Sequence, residues 1–142
     1  MKLKELTISE FENFVRKNPL GNHYQTSNYA ILMSEAGYDY DLIGFIDEYG
    51  NIEAASLILF KKIGFKSKYG YAPKGFILDY FNQSLLKEFT ESLKEYYAKK
   101  NVVFIKINPE IAVAEIDPKS YERTYNWNTE IKDYLSDNDY LK

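Results

Sequence analysis

The sequence predicts one α/β domain, built on a mixed, mostly antiparallel sheet with flanking helices. Three observations carry that prediction. Two segments with helical spacing come first, a run of apolar and alternating strands follows, and an amphipathic helix then separates two strands. A helix between neighbouring strands makes a crossover, which places a parallel pair inside an otherwise antiparallel sheet. The 142 residues suit a single domain over 1–142, undivided by repeat, linker or low-complexity tract.

The first helix is expected over Thr7–Lys17. Thr7 can cap it and Glu10 completes a capping box, while Phe11, Phe14 and Val15 share a face. Asn18-Pro19-Leu20-Gly21-Asn22 stops it. A second helix is expected over Ser27–Glu35, where Tyr29, Leu32, Met33 and Ala36 recur at helical spacing and Gly37 supplies the C-terminal cap. Strands over Asp41–Asp47 and Ile52–Lys61 flank a hairpin loop, Glu48-Tyr49-Gly50-Asn51. Ala54–Phe60 is nearly all apolar and is expected at the centre of the sheet. Phe65–Tyr71 is read as a third strand. Asn82 or Ser84 opens the strongest helix, with Leu85, Phe89, Leu93 and Tyr96 on one stripe and Lys99-Lys100 at its end. Val102–Ile107 is read as a buried strand, and Lys119 to about Leu135 as a last helix.

Composition narrows the function classes. Charged residues are 27% and hydrophobic ones 45%, which excludes wholesale disorder. A net charge of -3 gives no global reason to bind nucleic acid or an anionic membrane. The absence of cysteine excludes disulfides, thiolate zinc sites and thiol nucleophiles. No apolar run reaches the ~20 residues of a membrane helix, and the N-terminus turns polar too early for a signal peptide. A soluble, cytoplasmic protein is the expectation.

Standard catalytic equipment is sparse. His23 is the sole histidine, so a Ser-His-Asp triad or multi-histidine metal site has little to build on, and its loop position reads as surface. No Asp-x-Asp or Glu-x-x-His pattern indicates a metal, and no Gly-rich phosphate loop is present. No metal and no catalytic residue are assigned. One charge pattern stands out: Lys61, Lys62, Lys66, Lys68 and Lys74 occur without an intervening acid, interleaved with Phe65, Tyr69 and Tyr71. Such a stretch suits a diphosphate or phosphodiester ligand. It equally suits protection of a sheet edge against pairing with other chains.

Three segments in register carry a resemblance. Tyr71-Ala72-Pro73-Lys74-Gly75-Phe76-Ile77-Leu78-Asp79, Pro19-Leu20-Gly21-Asn22-His23-Tyr24-Gln25-Thr26 and Ile105-Lys106-Ile107-Asn108-Pro109-Glu110 resemble motifs of the Fem-type (FemABX) peptidoglycan aminoacyltransferases. The resemblance spans about Leu6 to Ile111. It implies a GNAT-like α/β fold and the N-terminal, muropeptide-precursor-binding domain of a two-domain transferase whose second domain is absent. The implied activity is tRNA-dependent addition of amino acids to the stem peptide of a peptidoglycan precursor, forming the interpeptide bridge. Implied partners are a UDP-linked or lipid-linked muropeptide and, through the missing domain, aminoacyl-tRNA as co-substrate. No other cofactor, no DNA and no integral membrane segment are implied, and the location is cytoplasmic or peripheral at the inner membrane face. Departures are visible: Ile31, Leu32 and Met33 stand where family members carry a phosphate-contacting lysine, and Asn108 stands for a strand-end aspartate, so it cannot act as a carboxylate base. The expected substrate-binding surface is Tyr29, Lys68, Tyr71, Lys74 and Asn108, with Lys68 added from the basic stretch. The alternatives are a single-domain GNAT-type N-acetyltransferase using acetyl-CoA, against which the absent pyrophosphate loop counts, and a non-catalytic muropeptide-binding module.

Overall fold

The computed structural model describes residues 1–112, 115–124 and 128–140. Five strands form the main sheet: β1 (Lys2–Glu5), β2 (Asp39–Ile46), β3 (Ile52–Ile63), β4 (Ser67–Ala72) and β5 (Val102–Ile107). Their spatial order is β1-β2-β3-β4-β5, antiparallel throughout except for the parallel β4–β5 pair. Helices α1 (Ile8–Lys17) and α2 (Ser27–Glu35) cover one face, and α3 (Gln83–Ala98) and α4 (Thr129–Asp137) the other. A separate hairpin, β6 (Glu115–Ile116) with β7 (Arg123–Thr124), precedes α4.

Burial explains the apolar run in β3. Ala55, Leu57 and Leu59 point to the α1/α2 core with Phe11, Val15 and Ala30. Ala54, Ile58 and Phe60 point to the α3 core with Phe89, Leu93 and Tyr97. A strand sandwiched on both faces has no polar side to display. Local chemistry fixes the helix starts: the Thr7–Glu10 capping box forms as expected, and Asn82 accepts the Leu85 N–H at 3.1 Å. Gly37, at φ +95°, ends α2 in the left-handed conformation.

Four expectations need correction. The last helix is α4 alone; Lys119 lies instead in a turn, where Asp117 accepts the Lys119 N–H (2.8 Å) and the Ser120 hydroxyl (3.1 Å). Those local bonds compete with helix formation and hold the Asp117 carboxyl below its usual range. Val102–Ile107 is an edge strand rather than a buried one, with Val103 and Phe104 more than half exposed. Phe65 belongs to a turn, and the third strand begins at Ser67. On α3, Tyr97 rather than Tyr96 enters the core; its hydroxyl donates to Asp41 at 2.9 Å, and burial, then the Asp41 charge, drives it far above the ordinary tyrosine range. The sequence reading also omits β1. Tyr96 and Lys100 tie that edge to α3 through Glu5, at 2.8 and 3.4 Å, and hold its carboxyl low.

Candidate functional site

The loop between α1 and α2 is rich in helix breakers and is pinned by side chains instead. Gln25 is fully buried. Its Nε2 donates to the carbonyls of Leu57 (3.2 Å) and Pro73 (2.9 Å), and its Oε1 accepts from the Leu57 N–H (2.8 Å) with the Ser56 hydroxyl at 3.4 Å. Asn22 Nδ2 donates to the Lys74 carbonyl at 3.1 Å. One loop is thereby fastened both to the central strand and to the turn after β4. That turn favours glycine at position 75, where a Cβ would stand 2.8 Å from Gln25 Nε2 and 3.1 Å from Ser56 Oγ and would force that amide to shift.

Lys74 occupies the left-handed region, at φ +54°, a conformation that costs a non-glycine residue about 1–2 kcal/mol. Its backbone is held from both sides, the carbonyl by Asn22 and the N–H by Asn108 Oδ1 at 2.8 Å. The same Oδ1 accepts from the Tyr71 hydroxyl at 3.3 Å. Lys106, directly opposite Tyr71 in the parallel register, places Nζ 5.6 Å from that ring's centroid. Tyr29 packs edge-on against Tyr24 at 5.2 Å. Burial raises the Tyr29 hydroxyl's pKa, and the neighbouring Tyr24, Tyr71 and Tyr38 raise it further. The Lys74 ammonium lies 3.6 Å from Glu110, which lines a cleft of about 470 Å³ together with Leu20, Leu78, Phe81 and Ile111.

Four of the five expected residues, Tyr29, Tyr71, Lys74 and Asn108, therefore lie together where β4 and β5 end. Lys68 does not join them. It sits at the other end of β4 and on the opposite face, its ammonium 4.8 Å from the ring of Phe60 in the α3 core. Side chains alternate along a strand, so two residues three apart face opposite ways. By the same parity Lys106 shares the Asn108 face, a signal present in the sequence. Gln25 and Asn22 act through their buried or partly buried amides, and a polar residue in a loop gives no sequence signal of that. His23 is exposed beside them.

The cluster offers two phenols, an amide oxygen and two ammonium groups, which suits holding an anionic, hydroxyl-rich ligand. Asn108 has no proton-accepting carboxylate to offer an attacking amine. The sequence profile of the FemAB family matches residues 6–140. The chain belongs to the FemAB family. It is 32% identical over 111 residues to the aminoacyltransferase FemB of Staphylococcus epidermidis (strain ATCC 12228 / FDA PCI 1200), covering 77% of this chain and 26% of that protein. Against FemA of Staphylococcus aureus (strain MW2) the identity is 30% over 109 residues, with the same coverage. This FemAB chain spans about a quarter of the length of the curated relatives it matches. The crystal structure of FemX superposes with a TM-score of 0.78 at 24% identity, covering 96% of this chain and 31% of that one. A glucosamine-6-phosphate N-acetyltransferase from Arabidopsis thaliana superposes at 0.57 and 15% identity, over 99% of this chain and 91% of its own. Both superpositions speak to fold, which is the GNAT-like one expected. No described helix is long and apolar enough to cross a membrane.

Proposed function

We propose that this FemAB-family chain is the precursor-binding unit of a tRNA-dependent aminoacyltransferase that extends the stem peptide of a peptidoglycan precursor. Family membership supplies the class. The observation that carries the assignment to this surface is the convergence of Tyr71 and Lys74 on one oxygen of Asn108, with Tyr29 and Lys106 alongside. A left-handed lysine gripped at both its N–H and its carbonyl fixes the point from which its side chain leaves, and Glu110, 3.6 Å from the ammonium, draws it toward the cleft, an arrangement that suits recognition of a UDP-linked or lipid-linked muropeptide. The reaction is attack of a substrate amine on an activated ester, with aminoacyl-tRNA as co-substrate and no further cofactor. We assign the tRNA-facing half of the cleft to a second domain of the kind found in two-domain relatives. The unit would work in the cytoplasm or at the inner membrane face.

Calorimetric titration with a UDP-linked muropeptide tests this reading. Binding is expected to be weak, because the helix position of the phosphate-contacting lysine holds Ile31, Leu32 and Met33; loss of such a contact weakens affinity by roughly one to two orders of magnitude. Lys74→Ala should reduce binding further and make it less salt-sensitive. A transfer assay with charged tRNA should give no turnover from the 142-residue chain. No measurable binding of the precursor, or binding indifferent to Lys74→Ala, would remove the assignment.

A further inference from the structure

The basic stretch singled out in the sequence is only partly absorbed by the site above. Lys74 belongs there; Lys61, Lys62, Lys66 and Lys68 belong to the β3–β4 hairpin. That hairpin projects beyond the sheet. Pairing of β2 with β3 stops at Asp39 opposite Phe60, and pairing of β4 with β5 starts at Lys68 opposite Val102. On the β2 side the hairpin runs three residue pairs past the sheet, about 10 Å, whereas on the β5 side only the Ile63–Ser67 pair and the turn lie beyond Lys68. At its apex a three-residue turn, opened by Gly64 at φ +62°, displays Phe65 with 95% of its surface exposed, beside Ile63 at 41%.

The charges around that apex are arranged against themselves. Lys62 and Lys68 stand directly opposite each other across the hairpin, a like-charge pairing that destabilises a ladder. Lys61 and Lys68 lean over the rings of Tyr38 and Phe60, each at 4.8 Å. None of the four lysines has a carboxylate within ion-pair distance among the described residues. By strand parity Lys61 lies on one face of the hairpin and Lys62 and Lys68 on the other, so cations ring an apolar tip on both sides. On a chain of net charge -3 this is a local feature.

We propose that the β3–β4 hairpin is a membrane-surface anchor: Ile63 and Phe65 enter the acyl boundary of a bilayer while Lys61, Lys62, Lys66 and Lys68 meet anionic headgroups. The inference deepens the membrane-face location in the reading above and does not depend on what the Tyr71–Lys74 surface binds. The Ile63–Ser67 pair and the three-residue turn, which stand clear of both neighbouring strands, are enough for the shallow insertion of roughly 5–10 Å typical of interfacial segments. The pairing of an aliphatic with an aromatic side chain at the apex favours hydrocarbon over nucleic acid, since a base stacks on a ring and gains nothing from Ile63.

The test is flotation of the 142-residue chain with precursor-free vesicles, of either phosphatidylcholine alone or equal parts phosphatidylcholine and phosphatidylglycerol. Binding is expected only to the anionic vesicles and should fall with added salt. Replacing Lys62 and Lys66 by serine should lower partitioning about fivefold per lysine, so roughly 25-fold together. Phe65→Ser should lower it about tenfold or more, and Phe65→Leu should retain most of it. Thermal unfolding of each variant, unchanged from the parent, establishes that the fold is intact. The proposal is overturned if anionic vesicles are not bound, if charge in the vesicle makes no difference, or if either the lysine pair or Phe65→Ser leaves binding unchanged. It is equally overturned if a single-stranded oligouridine, and not the vesicle, is bound through these residues. Because no precursor is present, each of these failures leaves the muropeptide titration standing on its own.

Discussion

The two ends of β4 both carry lysine, and they treat it differently. At the C-terminal end the Lys74 backbone is bonded by Asn22 and Asn108, and the adjoining Pro73 carbonyl by Gln25. At the N-terminal end Lys62 and Lys66 ride on a hairpin whose tip, beyond the Lys68–Val102 pair, is held only by its own ladder. A cation launched from a bonded backbone can be aimed at one ligand group, whereas a set of cations on a projecting loop responds to the field of a whole surface. The difference teaches that a basic stretch continuous in sequence can serve two recognitions of unlike kind.

Substitutions that strip the restraint from one end sharpen that contrast most. Gln25→Ala would leave the Leu57 N–H and the Leu57 and Pro73 carbonyls buried without their amide partner. It should destabilise the fold by about 4 kcal/mol, read as a lowered midpoint in urea denaturation. Gly75→Ala pushes a Cβ against the same amide and should cost about 2 kcal/mol in the same measurement.

A pH scan sets the window in which the two ends can be compared. Burial raises the Tyr80, Tyr97 and Tyr140 hydroxyls, Tyr140 to about 12. In the unfolded chain these groups ionise near pH 10, so the stability they lend is complete below that value and is lost as pH rises above it. The expected slope is about 1.4 kcal/mol per pH unit for each such tyrosine, measured by denaturation between roughly pH 8 and 11. A flat profile across that range would show that the α3-side core opens without ionising them.

Smaller effects divide the ends directly. Asn108→Ala removes the acceptor for Tyr71 and Lys74 and should cost about 1 kcal/mol while weakening precursor binding; Asn108→Asp should keep both. Phe65→Ser, at the opposite end, should change stability by less than about 0.5 kcal/mol. A large loss there would mean that the hairpin tip is packed on something and is not a free apex.

Periodicity and caps were sufficient for the helices that begin with side-chain bonds of their own, at Thr7, Thr26 and Asn82. They were insufficient for β1, whose Lys-Leu-Lys-Glu has no strand pattern by itself and gains structure only from β2. The Asp117 turn likewise defeats a helical reading, because its two side-chain bonds are invisible to a count of apolar spacing. In the candidate site, Tyr29, Tyr71, Lys74 and Asn108 were legible through motifs that resemble a family. Lys68 is near Tyr71 in sequence but strand parity puts it on the opposite face, against Phe60. Gln25 could be read as part of a motif, but not as the residue that fastens three segments together.

The order of strands in the sheet is the order of strands in the chain, and this bears on how the protein assembles as it is synthesised. Each new strand finds its partner already at the sheet's growing edge, so no strand must be inserted between two others. The helices for one face, α1 and α2, emerge before β2 and can cover that side at once. The other face waits: Ile43, Phe45, Ile58 and Phe60 have no cover until α3 leaves the ribosome some twenty or more residues later. During that interval the nascent chain carries a one-sided sheet with aromatic and branched side chains in water, a stage at which a chaperone or a slowed ribosome would have the greatest influence on yield.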